Sequence, residues 1–129
     1  MNILKNTFKT IAIMAIVFSC SNSSAISQEE DRNELDQLQT EIELLISKGK
    51  CTKNAECDFI AFGSKPCGGP WGYLVYPTTI DVDLLKIKVA DYNEKETAYN
   101  KKWGIASDCM VVQRPTGTEC NDGICTAIY

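Results

Sequence analysis

Seven cysteines and no histidine set the chemistry open to this 129-residue chain. Without His it lacks the commonest general base near neutral pH and the commonest metal ligand. Neither a Ser-His-Asp nor a Cys-His nucleophile can be assembled from this chain alone. No Cys-x-x-Cys redox pair is present. The pairs Cys51/Cys57 and Cys120/Cys125 are spaced more widely than the tight pairs of zinc sites, so no metal and no cofactor is expected. Carboxylates are the remaining catalytic material. Asp81 with Asp83, and Asp91, Glu94 and Glu96 further on, offer acid–base pairs of the kind a glycosidase uses. They sit among lysines, the pattern of a solvated charged face. A carboxylate-dependent hydrolase is therefore the least favoured reading. Asn121-Asp122-Gly123 reads as a turn, not as part of a calcium loop.

One segment stands out as a binding surface. Within it Gly63-Ser64-Lys65-Pro66-Cys67-Gly68-Gly69-Pro70 cannot form regular structure, because two prolines fix φ and three glycines admit positive φ, and an extended run from Trp71 to Pro77 follows. The binding candidate is the loop Lys65-Pro66-Cys67-Gly68-Gly69-Pro70-Trp71-Gly72-Tyr73. A cysteine anchor would make it rigid, which lowers the entropy cost of binding. Trp and Tyr bring large area with few torsions. Lys65, Pro66, Trp71, Tyr73 and Tyr76 are the candidate contact residues. The competing expectation is that Trp71 and Tyr73 fold back over the sheet to extend a thin core. A variant of the binding reading is a protease or hydrolase inhibitor that presents loop 64–73, with Lys65 offered to a target cleft.

The N-terminus places the protein. Lys5 and Lys9 precede an apolar run of eight residues, Ile11 to Phe18. A bilayer-spanning helix needs about 20 apolar residues, so the run fits the apolar part of an export signal instead. Val17-Phe18-Ser19-Cys20 resembles the lipobox of bacterial lipoproteins: an aliphatic residue, a variable one, a small one, then Cys. That resemblance covers residues 1 to about 28. It implies removal of residues 1–19, diacylglyceryl attachment to the Cys20 sulfur and acylation of the new amine. Several acyl chains on one residue are what a stable anchor requires, since one chain binds only marginally. Ser rather than Asp after the modified Cys resembles lipoproteins sent to an outer membrane. With residues 1–19 removed, 11 basic and 17 acidic side chains remain, a net charge of −6. Nucleic acid is excluded as a partner on that balance, as is adhesion to anionic lipid through a basic patch.

Setting Cys20 aside leaves Cys51, Cys57, Cys67, Cys109, Cys120 and Cys125. An even number in a small exported domain reads as a disulfide framework. Six cysteines allow 15 pairings. The cysteines sit at strand edges and loop bases, where bridges usually lie. Sequence alone does not choose among the pairings; Cys57–Cys125, Cys67–Cys109 and Cys51–Cys120 is our guess, with the alternatives open. Their arrangement looks like that of other small exported bacterial cysteine-rich domains.

The elements that must position these residues are few. Residues 20–28 are expected as a lipidated Cys and polar tether. An amphipathic helix follows over 29–49. Ser27 is its expected N-cap, with Glu30 completing a capping box and Gly49 as the stop. Its stripe of Leu35, Leu38, Ile42 and Leu45 packs on its own domain, or alternatively pairs with a second helix. A second helix is expected from Asp81 to Trp103, lined by Leu85, Val89, Tyr92, Tyr99 and Trp103, with Glu96 interrupting. Strands are expected near 57–62, 109–113 and 124–128. The fold class is thus α+β: a small three-stranded antiparallel sheet on one long helix, preceded by the amphipathic helix and stapled by three disulfides over 51–129. The function expected is a lipid-anchored, non-enzymatic binding or structural module of the cell envelope. Its partners are the membrane, through the lipid, and an unidentified envelope protein or ligand.

Overall fold

The computed structural model describes residues 23–129, with side chains from Ser27 onward. The export signal, the lipobox and Cys20 lie outside the described residues. Two helices, a single 3-10 turn and four strands follow in the order α1 (Ser23–Ser47), the turn (Asn54–Glu56), β1 (Cys57–Phe62), β2 (Gly72–Pro77), α2 (Val82–Trp103), β3 (Gly117–Asn121) and β4 (Ile124–Ile128). The class is α+β, as expected. Among the described residues no helix is long and apolar enough to cross a membrane.

The helices form an antiparallel pair. Asp31, Glu34 and Glu41 of α1 pair with Lys102, Lys95 and Lys88 of α2, in that order. These pairs are exposed and contribute little energy; they report direction. The stripe of α1 is covered by its own domain. Leu35, Ile42 and Leu45 join Tyr76, Leu85, Val89 and Tyr92 in one buried cluster, with Leu38 packed against it. That leaves the stripe unavailable for a coiled coil. α2 begins and ends on the residues the sequence marks. Asp81 caps it, accepting a 2.9 Å hydrogen bond from the Leu84 amide, and Gly104 closes it in the left-handed region at φ 61°.

The start of α1 differs from the expectation. Helix runs through Ser27 from Ser23, so Ser27 is not a cap and the tether is shorter than residues 20–28. Asp31, in the third turn of the helix, accepts from Lys102 Nζ and Trp103 Nε1. Gly49 follows the helix but is not in the left-handed conformation. It is glycine because of close approach: a Cβ there would lie 2.7 Å from Pro77 Cγ and also collide with Ile80.

The three-stranded sheet is replaced by two separate two-stranded sheets, β1–β2 and β3–β4, both antiparallel. The partner of β1 is the extended 72–77 stretch, which is not among the expected strands. Its alternation sends Leu74 and Tyr76 toward the helices, beside Ile60 and Phe62 of β1. Residues 109–113 are not a strand. The Met110 carbonyl is taken by Lys65, so no ladder forms there. The partner of β4 is β3, because Asp122-Gly123 makes a two-residue hairpin turn with both φ values positive, 50° and 85°. The three disulfides are Cys51–Cys120, Cys57–Cys125 and Cys67–Cys109, with Cα separations of 5.9, 5.5 and 5.5 Å. This is the favoured pairing.

Gly49→Ala is expected to destabilise the fold by about 1–3 kcal/mol through overpacking, read as a lower urea midpoint at unchanged slope. A neutral result would show that the Gly49–Pro77–Ile80 contact relaxes freely.

Candidate functional site

The loop joining β1 to β2 is held by side chains of α2. Asn93, Glu96, Thr97 and Asn100 recur at helical spacing on one side of α2. Asn93 Oδ1 accepts from the Gly63 amide at 2.7 Å, and Glu96 Oε2 accepts from the Ser64 amide at 2.5 Å. Asn100 Nδ2 donates to the Ser64 carbonyl, and Thr97 donates to the Ser64 hydroxyl, each at 2.7 Å. A loop backbone that has left its ladder must find such partners or remain in water. Glu96, which interrupts the apolar stripe of α2, belongs to this second, polar stripe. Gly63 is required at φ 82°, where a Cβ would come within 2.6 Å of Trp71 Cδ1.

Lys65 fixes the loop from inside. It is 8% exposed, and its ammonium donates to Asp108 Oδ1 and to the Met110 carbonyl, both at 2.9 Å. The same nitrogen lies 5.2 Å from the centre of the Trp71 ring. The ammonium beside Asp108 holds that carboxyl below its ordinary range. The Lys65 amide donates to the Gly69 carbonyl and the Gly68 amide to the Lys65 carbonyl, each at 2.8 Å. Cys67–Cys109 then ties the loop to the segment that follows α2.

These contacts correct two of the candidate contact residues. Lys65 is buried and its charge is satisfied within the protein, by Asp108 and the Met110 carbonyl. Tyr76 is 2% exposed and belongs to the core, where its hydroxyl donates to Asp58 at 3.3 Å. Tyr73 is half-buried, edge-on to Phe59 with ring centres 5.8 Å apart. Pro66 and Trp71 remain outward, Trp71 with 42% of its surface in solvent. The structure adds two neighbours the sequence reading missed. Met110 and Val111 are 73% and 94% exposed, beside the disulfide and on the segment that Lys65 holds. The available signal was an apolar pair directly after a cysteine, which read as strand interior.

Behind Trp71 lies a cleft of about 410 Å³ lined by Arg32, Phe62, Trp71, Tyr92, Glu96 and Tyr99, among others. Phe62 and Tyr92 stack there with centres 4.4 Å apart. Burial, reinforced by Glu96, pushes the Tyr92 phenol up to about 12. Burial also raises the Glu96 carboxyl above its ordinary value, against the lowering effect of the Ser64 amide, Arg32, Trp71 and Tyr92. Of the five carboxylates singled out in the sequence, only Glu96 lines this cleft. Asp81 caps α2, Asp91 faces Lys95 at 3.8 Å, and Asp83 and Glu94 are exposed. Glu96 spends its oxygens on holding the loop. A second, more apolar cleft of about 420 Å³ lies at the far end of the molecule, between Ile46, Val75, Pro77 and Ile124.

The sulfurs of Cys51, Cys57 and Cys125 lie within 4.8 Å of one another. They belong to two neighbouring disulfides, and a metal would need them as thiolates. The chain matches no protein-family model, no curated protein and no solved structure.

Lys65→Ala is expected to cost about 1.5–3 kcal/mol, the range for hydrogen bonds to a charged group. It should also raise proteolytic cleavage within 63–71; unchanged stability and cleavage would show that Asp108 and Met110 do not depend on the ammonium. The Glu96 shift has a definite sign. The folded chain retains this proton at pH values where the unfolded chain has released it, so stability falls as pH rises through that window. Urea unfolding at about pH 4 and about pH 7 should show the wild type losing ground to Glu96→Gln at the higher pH. A pH-independent difference would contradict the assignment.

Proposed function

We propose that this chain is a lipid-anchored, non-enzymatic binding module of the cell envelope, contacting its partner through the disulfide-tied surface of Pro66, Trp71, Met110 and Val111. One observation carries the reading. The loop is fixed by α2, by Lys65 and by Cys67–Cys109, and yet its indole keeps 42% of its surface in solvent. Burying Trp71 would have added to a thin core at small cost. A rigid aromatic kept outside is suited to binding, because little freedom is lost when a partner covers it. The anchor half of the proposal rests on the lipobox resemblance at Val17-Phe18-Ser19-Cys20 and on the even number of cysteines beyond it.

The two halves are tested separately. Mass spectrometry of the native protein is expected to find a chain that starts at Cys20 and carries acyl mass on it. An unmodified N-terminus would remove the anchor. A photo-crosslinking residue placed at Pro66 in living cells is expected to give adducts that the same residue at Asp83, an exposed control site, does not. Equal labelling at both positions would remove the binding surface.

A further inference from the structure

We propose that the partner of this surface is the membrane itself: Trp71, Met110 and Val111 form an apolar tip that seats in the leaflet holding the lipid anchor. The inference rests on the anchor reading and names the occupant of the surface just described.

The argument is one of reach and direction. Only Ser21 and Asn22 separate Cys20 from Ser23, the first described residue of α1. Three residue steps span at most about 11 Å, so the acyl chains emerge close to the start of that helix. The end of α2 lies beside the N-terminal half of α1, since Asp31, eight residues and about 12 Å in from Ser23, accepts from Lys102 at 2.5 Å and from Trp103 at 2.9 Å, and the start of α1 projects past it on the same side of the molecule. The segment leaving α2 at Gly104 brings Met110 onto Lys65, whose ammonium also lies 5.2 Å from the Trp71 ring centre. The tip therefore belongs to the pole that the anchor draws toward the bilayer.

Its composition suits that place. Val111 is 94% exposed and Met110 73%; water is a poor solvent for both. Trp71 carries the amphipathic ring favoured at the membrane–water boundary. Lys101 is exposed in the last turn of α2 at the same pole, where a long basic side chain can reach headgroups. The disulfide and Lys65 keep the tip rigid. The opposite pole also exposes apolar side chains, Leu84 and Ile87 among them, but the anchor's short reach turns that pole away. The tip needs no anionic lipid, which agrees with the acidic net charge of the chain.

The test uses the full lipidated protein in phosphatidylcholine vesicles whose acyl chains carry bromine, with Trp71 emission read in a Trp103→Phe variant. The difference between wild type and Trp71→Phe supplies the same quantity if that variant does not fold. The result expected is quenching and a blue shift of Trp71. Both are lost in Met110→Asp/Val111→Asp, which still sediments with the vesicles, and both are kept in Ile87→Asp. A lipidated protein that sediments while Trp71 stays unquenched, or whose quenching ignores positions 110 and 111, overturns the docking and leaves the anchor standing. Trp71 shielded only on addition of envelope protein overturns it in favour of a protein partner. A chain with no acyl mass at Cys20 overturns the anchor and the docking together.

Discussion

Among the described residues, the hydrophobic cluster takes its members from α1, β1, β2, α2 and the turn at Ile80, and none from beyond Tyr99. The chain beyond α2 is nevertheless ordered against the rest, and covalent closure is what holds it. Cys51–Cys120 and Cys57–Cys125 bridge 69 and 68 residues of sequence, loops for which chain-entropy arguments give about 4 kcal/mol each taken singly. The two loops nearly coincide, so the second adds less than the first. Its effect is orientation. Cys120 and Cys125 face each other across the β3–β4 ladder, and two bonds from neighbouring positions fix how the hairpin lies where one would let it pivot. Thr118 Oγ1 donating to the Cys57 carbonyl and the Cys51 amide donating to the Gly123 carbonyl complete the join.

The third disulfide works on a different problem. A glycine- and proline-rich loop has no ladder of its own and would sample many conformations. Here α2 supplies acceptors and donors for its first residues, an internal lysine joins it to the segment after α2, and Cys67–Cys109 makes that junction permanent. These polar groups are engaged within the protein. Glu96 is the clearest case: the half-buried carboxylate that would attract a catalytic reading has its oxygens directed at the Ser64 amide and at donors of Trp71 and Tyr92. What the arrangement leaves outward is apolar and rigid, the physical basis of the surface proposed above.

The two helices have a related role. Their antiparallel packing fixes a molecular axis, with the α1 start, the α2 end and the tied loop at one pole, and the Gly49–Pro77 contact and the β3–β4 turn at the other. A chain attached at the α1 start is thereby given a near side and a far side.

Sequence alone determined whatever depends on neighbours along the chain. The stripe Leu35-Leu38-Ile42-Leu45 and the bounds of α2, from Asp81 to Gly104, follow from helical periodicity and capping, which act within a few residues. Six cysteines from Cys51 onward announced the staples, but which of fifteen pairings they make was decided by the fold. Tertiary structure decided which strands pair, since an extended run such as 72–77 carries no label naming its partner and the choice rests on contacts made far along the chain. It decided too that Lys65 is an internal tie and Tyr76 a core residue. A side chain's type sets what it can bond, but only the three-dimensional neighbourhood sets whether that bond is made to the protein or left for something else.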